Sequence, residues 1–202
     1  VVTTEIQAVV GNGEKSVIQP YTVIYTIYAN GMIEVTTTFK TGENFNLPRL
    51  GLQASLNPTL EQVEWYGDGP MECYWDRKDA AYVGLYKTTV TGMEESYVRA
   101  QSMGNREDVR WLTLTSNGSQ SGIKIVSKDR LNFSALHFSE PDLWKVLYGH
   151  DKETIRRAEV ILTLDCIQNG IGNGSCGPST RPEYRIQKDK EYSYSFRIEP
   201  IK

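Results

Sequence analysis

Apolar and polar residues alternate with a period of two along most of this chain. Tyr21 to Tyr28 and Met32 to Phe39 are built from β-branched and aromatic residues and flank Ala29-Asn30-Gly31. Such runs on either side of Asn-Gly predict a β-hairpin. Further strands are predicted over Val1 to Val10, Leu50 to Leu56, Val63 to Tyr66, Val109 to Thr115, Gly122 to Ser127, Leu131 to Phe138, Ala158 to Asp165 and Tyr192 to Pro200. Turn residues separate them at Gly11-Asn12-Gly13, Asn57-Pro58, Gly67-Asp68-Gly69-Pro70, Asn117-Gly118 and Pro182. Many short strands at even spacing indicate an all-β fold, an antiparallel sandwich or barrel. One helix is predicted, Glu140 to Tyr148, with Ser139 as its cap and Pro141 at its start.

Length and charge narrow the class. The chain has 202 residues, which fits one domain spanning 1–202 that buries about 70% of its unfolded surface. A net charge of -3 supplies no basic field, so a nucleic-acid partner is not expected. The apolar runs are too short for a membrane-spanning helix, so no membrane partner is expected either. The chain opens on Val1-Val2-Thr3-Thr4, without methionine or signal segment, and reads as a fragment of a longer protein. Three cysteines, Cys73, Cys166 and Cys176, match neither zinc-site spacing nor a disulfide framework, so free structural thiols are expected. No metal-ligand set stands out, and no organic cofactor is implied.

One segment departs from the alternation. Asn169 to Pro178 holds four glycines within eight residues and follows the apolar run ending at Asp165. Glycine lets backbone approach another body closely. No helical pattern follows, which argues against a phosphate-cradling turn. A second group comprises Arg49, Arg77, Arg106 and Arg110, interleaved with Glu72, Asp76, Glu107 and Asp108. Ion pairs that lock long loops are one reading. The other is a sugar-binding patch completed by the aromatics Trp65, Tyr66, Tyr74, Trp75 and Trp111, with Trp75, Tyr74, Arg77 and Arg106 as candidate contacts. His137 and His150 fall in no motif suited to acid–base work at a sugar.

Four motifs occur in order: Leu47-Pro48-Arg49-Leu50-Gly51, Trp65 to Tyr86, Tyr97 to Trp111, and the glycine-dense loop. From Pro20 onward this series resembles the C-terminal small-chain domain of family 2 glycoside hydrolases of the β-galactosidase type. The resemblance implies a large antiparallel β-sandwich of the galactose-mutarotase-like kind. It also implies a neighbouring catalytic (β/α)8 barrel, toward whose active site one loop reaches. The family's domain extends further on its N-terminal side, so missing first strands, an exposed sheet edge and self-association into a homo-oligomer are expected. Retaining hydrolysis needs two carboxyl groups about 5–5.5 Å apart. In the family both are glutamates of the barrel, so this chain alone is expected to be inactive. The family commonly carries a sugar-walling tryptophan where Cys176 stands here, in a loop one residue longer. Gly172, Asn173, Ser175 and Cys176 are therefore the substrate-proximal candidates. Cys73 and Trp75 replace an asparagine and a proline common in relatives, and Ala100, Ser102 and Met103 replace proline, glutamate and asparagine. The implied function is a non-catalytic domain of a β-galactosidase that packs on the barrel, with galactose-containing glycans as a further expected partner. An autonomous carbohydrate-binding module and an assembly domain are the alternatives.

Overall fold

The computed structural model describes residues 1–11, 18–42, 47–119, 121–172 and 177–202. Its strands in chain order are β1 (Val2–Gly11), β2 (Ile18–Ile27), β3 (Ile33–Lys40), β4 (Arg49–Leu56), β5 (Gln62–Gly69), β6 (Tyr82–Thr89), β7 (Arg106–Thr115), β8 (Gly122–Leu136), β9 (Val160–Gln168) and β10 (Glu191–Ile201). All pairings are antiparallel. The hairpin at Asn30-Gly31 joins β2 to β3, with the Gly31 amide donating to the Tyr28 carbonyl at 3.0 Å.

The main layer runs β1-β2-β3-β10-β8-β7-β5-β6. A second layer forms where β9 pairs with both β4 and the end of β8, Asn132 to Leu136. β8 thus belongs to both layers. Alternation sorts the faces: Val35, Phe39, Tyr194 and Phe196 point into the core, while Thr36 and Thr38 meet Ser195 and Ser193 on the outer face. The layers are cross-linked inside by the Tyr194 hydroxyl, which donates to the Leu164 carbonyl at 2.8 Å. Trp65 anchors the other end of the core, packed on Phe133 and Tyr86, with its indole N–H satisfied by the Asp68 carbonyl at 2.9 Å.

Four local expectations are corrected. The runs expected over 122–127 and 131–138 form one strand, β8, ending at Leu136, because the exposed Lys128, Asp129 and Arg130 are extended backbone passing from one layer to the other. β6 is a strand that the alternation does not predict; it is an edge, and its Leu85 is 57% exposed, so its pattern carries little burial signal. Gly67 to Gly69 lie within β5 and not in a turn. The helix covers only Glu140–Leu143 (α1), closed by a capping box between Ser139 and Asp142. It stops there because Trp144, 85% exposed, and Leu147 have no core to face.

At the far edge, Val2, Ile6 and Val10 of β1 and Ile27 of β2 are exposed large hydrophobics. Val2 sits opposite Ile27, and Ile6 opposite the buried Val23, so they continue the inner face outward.

Phe133 is fully buried where β8 joins β7, β9 and Trp65. Phe133→Ala should cost about 3–5 kcal/mol, read as a lowered urea midpoint at an unchanged slope.

Candidate functional site

The glycine-dense loop leaves β9 on a stem whose consecutive amides each find an anchor. The Asn169 amide donates to the Pro48 carbonyl and the Gly170 amide to the Tyr184 carbonyl, both at 2.8 Å. The Ile171 and Gly172 amides donate to the two carboxylate oxygens of Asp76 at 2.9 and 2.7 Å. Asp76 lies in the turn after β5, 95 and 96 residues away in sequence. The two bodies touch: a Cβ on Gly170 would stand 2.5 Å from Asp76 Cγ. Gly172 has φ +58, and a Cβ there would meet the Thr180 amide nitrogen at 2.6 Å. Both positions therefore need glycine. The return segment closes the stem, with Thr180 Oγ1 donating to the Gly170 carbonyl at 2.6 Å.

Arg185 braces that return segment. Its Nε donates to the Thr180 carbonyl at 2.7 Å, and Nη2 lies 3.2 Å from Ser179 Oγ. Among the described residues, Asn169, Ser179, Thr180 and Arg185 line a cavity of about 240 Å³ beside the stem. Trp75, half-buried, meets Tyr184 edge-on at 6.0 Å between ring centroids.

The turn that carries Asp76 is itself tied down by Glu72. This carboxylate accepts from the Arg77 guanidinium and the Tyr97 hydroxyl, from the Tyr74 hydroxyl at 3.2 Å and from the Gly104 amide at 2.9 Å. Cys73 adds a second tie, its Sγ accepting from the Glu107 amide at 3.3 Å. Burial pushes the Cys73 and Cys166 thiols up to about 11, so both are inert structural groups at neutral pH.

The structure brings Trp75 and Gly172 into one neighbourhood through Asp76 and Tyr184. Tyr74 is 1% and Arg106 3% exposed, which leaves almost no surface for a ligand. Arg106 instead lies over the Trp65 ring at 5.2 Å and donates to the Asn105 carbonyl. Arg77 stays exposed beside Glu72. Arg49 forms the expected kind of ion pair, to Asp165 at 2.8 Å and Glu140 at 3.0 Å. Asn173, Ser175 and Cys176 lie outside the described residues. His137 has both ring nitrogens engaged, by the Glu159 carbonyl and the Glu61 carboxylate, and His150 is exposed. Asp76, one of the acids interleaved with the arginines, binds backbone amides; this role and those of Thr180 and Arg185 carry no local sequence signal beyond proximity to glycine-rich or acidic motifs.

Residues 1–198 match the sequence pattern of the beta galactosidase small chain. The chain belongs to that family. Among its relatives, a beta-galactosidase of Priestia megaterium is 29% identical over 185 residues, covering 89% of this chain and 17% of that protein. One from Kluyveromyces lactis is 32% identical over 179 residues, covering 86% and 17%, and one from Staphylococcus xylosus is 30% identical over 178 residues, covering 88% and 17%. The chain thus spans about a sixth of the length of the curated relatives it matches. Among solved structures, a galactose mutarotase related enzyme from Lactobacillus acidophilus superposes with a TM-score of 0.43 at 10% identity, covering 99% of this chain and 68% of that one.

In this small-chain domain the strongest titration anomalies are structural. Burial raises Glu107 to about 7, against the opposing pull of Lys78 at 3.3 Å. Burial likewise raises Asp165 to about 6 despite Arg49. Both groups are sealed from solvent and so are unavailable to a substrate. Asp142 goes the other way, held far below the usual carboxylate range by Arg157 and Lys145.

Two outcomes are expected. Asp76→Ala should raise amide exchange at Ile171 and Gly172 at least about tenfold, the worth of one charge-assisted hydrogen bond, while Asn169, held by Pro48, keeps its protection; NMR exchange rates read this directly. The second concerns pH. Unfolded carboxyls ionise near pH 4, so the stability that Glu107 and Asp165 contribute is full below about pH 4 and is lost as pH rises through about 6 and 7. Asp142 acts in the opposite sense: its contribution is full above about pH 4 and is lost progressively as pH falls below that. Thermal melts should therefore show greater stability at about pH 5 than at about pH 8, and Glu107→Gln should flatten the upper part, removing on the order of 1–3 kcal/mol of pH dependence.

Proposed function

We propose that this chain is the small-chain part of a β-galactosidase, packed on the enzyme's catalytic barrel with the glycine-dense loop turned toward the sugar. The observation that carries this reading is the Asp76 clamp. It ties the loop's stem to the turn of the second family motif through two hydrogen bonds at 2.9 and 2.7 Å. A loop held on so firm a stem can present Asn173 and Ser175 to sugar hydroxyls. Cys176 stands where the resembled family carries an aromatic, so polar contacts replace part of a stacking wall. The two catalytic carboxyl groups come from the barrel. The exposed inner-face residues Val2, Ile6, Val10 and Ile27 suit a surface covered by the rest of the parent chain.

The isolated chain should show no hydrolysis of aryl galactosides, whereas the parent enzyme should lose activity when residues 1–202 are removed. In the parent, the double substitution Asn173→Ala, Ser175→Ala should raise KM about three- to tenfold, as the loss of one or two ordinary hydrogen bonds would. Unaltered KM in that variant, or turnover by the isolated chain, would sink the reading.

A further inference from the structure

Asparagine precedes glycine at five positions, Asn12, Asn30, Asn117, Asn169 and Asn173. A glycine after asparagine has no Cβ to keep its backbone nitrogen away from the asparagine side-chain carbon, and attack there closes a cyclic imide. Three of the pairs fall among the described residues, at Asn30, Asn117 and Asn169. Their side-chain carbonyls are primed alike. Asn30 Oδ1 accepts from the Met32 amide at 3.1 Å, Asn117 Oδ1 from Gln62 Nε2 at 2.6 Å and Asn169 Oδ1 from the Ile186 amide at 2.6 Å. Each donor draws charge toward the oxygen, where a tetrahedral adduct would place it.

The attacking nitrogens differ. The Gly31 amide donates to the Tyr28 carbonyl at 3.0 Å and the Gly170 amide to the Tyr184 carbonyl at 2.8 Å. Both must break a hydrogen bond before turning on the preceding side chain. The Gly118 amide has no partner among the described residues. Room follows the same order. A Cβ on Gly170 would stand 2.5 Å from Asp76 Cγ and one on Gly31 3.3 Å from Pro200 Cγ, whereas one on Gly118 meets no described atom within 4 Å. Asn117, Gly118 and Ser119 are exposed at the tip between β7 and β8, so solvent hydroxide reaches the amide proton. Asn30 is exposed as well, so exposure alone does not separate the two.

We propose that Asn117 is a site of covalent self-modification, its side chain cyclising onto the Gly118 nitrogen and then opening to aspartate or isoaspartate. Hydroxide takes the Gly118 amide proton and the nitrogen bonds to Asn117 Cγ. The bond from Cγ to Nδ2 breaks, and the leaving nitrogen is protonated to ammonia. Water then adds to one imide carbonyl. Cleavage of the new bond gives aspartate, and cleavage of the original peptide bond gives isoaspartate, with the main chain rerouted through Cγ. One water is consumed and one ammonia released, and nothing is oxidised or reduced. Either product carries a carboxylate where the turn was neutral. Behind the tip the Ser116 amide donates to the Ser121 carbonyl at 3.0 Å, which keeps the change local. The reaction needs neither ligand nor barrel and so goes beyond the preceding reading.

Incubation of the whole folded chain in mildly alkaline buffer, followed by mass mapping of tryptic peptides, tests it. Replacement of NH by O is read as a mass gain in peptide 111–124 for Asn117, 16–40 for Asn30 and 158–185 for Asn169, the last told apart from Asn173 by fragmentation. Asn117 should convert at least about tenfold faster than Asn30 or Asn169, the worth of the hydrogen bond on each protected amide. In concentrated urea the three rates should converge, since each pair is then the same dipeptide stripped of native contacts. Asn117→Gln, whose longer side chain must close a larger ring, should leave peptide 111–124 unmodified. A smaller ratio in the folded chain, a difference that persists in urea, or a mass gain in 111–124 that survives Asn117→Gln would each overturn the proposal.

Discussion

The Asp76 carboxylate accepts two consecutive backbone amides of a loop almost a hundred residues away, and the fold's other irregular segments depend on the same device. Strands satisfy their own N–H groups through the ladder, but long connections in a sandwich do not. Here Glu72 takes the Gly104 amide, Asp142 takes the Ser139 amide, and Glu61 takes the Thr91 amide at 2.9 Å. Each carboxylate also meets side-chain donors, so that one acidic group fastens two or three pieces of chain. Without these ties the connections that carry the site would have backbone donors and no fixed geometry.

Burying acids has a cost that the structure only partly offsets. Asp165 is fully buried and keeps one carboxylate oxygen without a partner, although Arg49 grips the other. Glu107 stands among Lys78, Asp108 and Asp68, of which two are acids, and burial outweighs the lysine. Proton uptake relieves both. Asp142 shows the opposite limit, where two cations and a capping box converge on one carboxylate. The contrast comes from partners and not from residue type. It places the pH response of these acids at joints between loops and layers.

Much of the sheet is legible in the sequence because alternation reports burial directly: β2, β3, β9 and β10 each bury one face or both. β6 is illegible for the same reason, since an edge strand with an exposed Leu85 and Val83 gives no burial contrast. The single long β8 hides behind Lys128-Asp129-Arg130, whose charges mimic a turn. For the candidate site, glycine density marked the loop, and motif order marked the turn at Trp75, but nothing local joined them. The link is a carboxylate-to-amide contact, and backbone amides leave no trace in side-chain identity. Tyr74 and Arg106 illustrate the converse. Their residue types suit sugar contact, yet a fully packed aromatic and a guanidinium laid over Trp65 serve the core.

The 71–75 segment, which leads into Asp76, is itself fastened at two points. The thiol of Cys73 accepts the Glu107 amide at 3.3 Å, which ties the segment to the start of β7. Trp75 makes an edge-on contact with Tyr184, whose carbonyl holds Gly170. Both contacts keep the turn pressed against its neighbours. They fix the position of Asp76, one residue further on, and with it the direction in which the glycine-dense loop leaves the sheet.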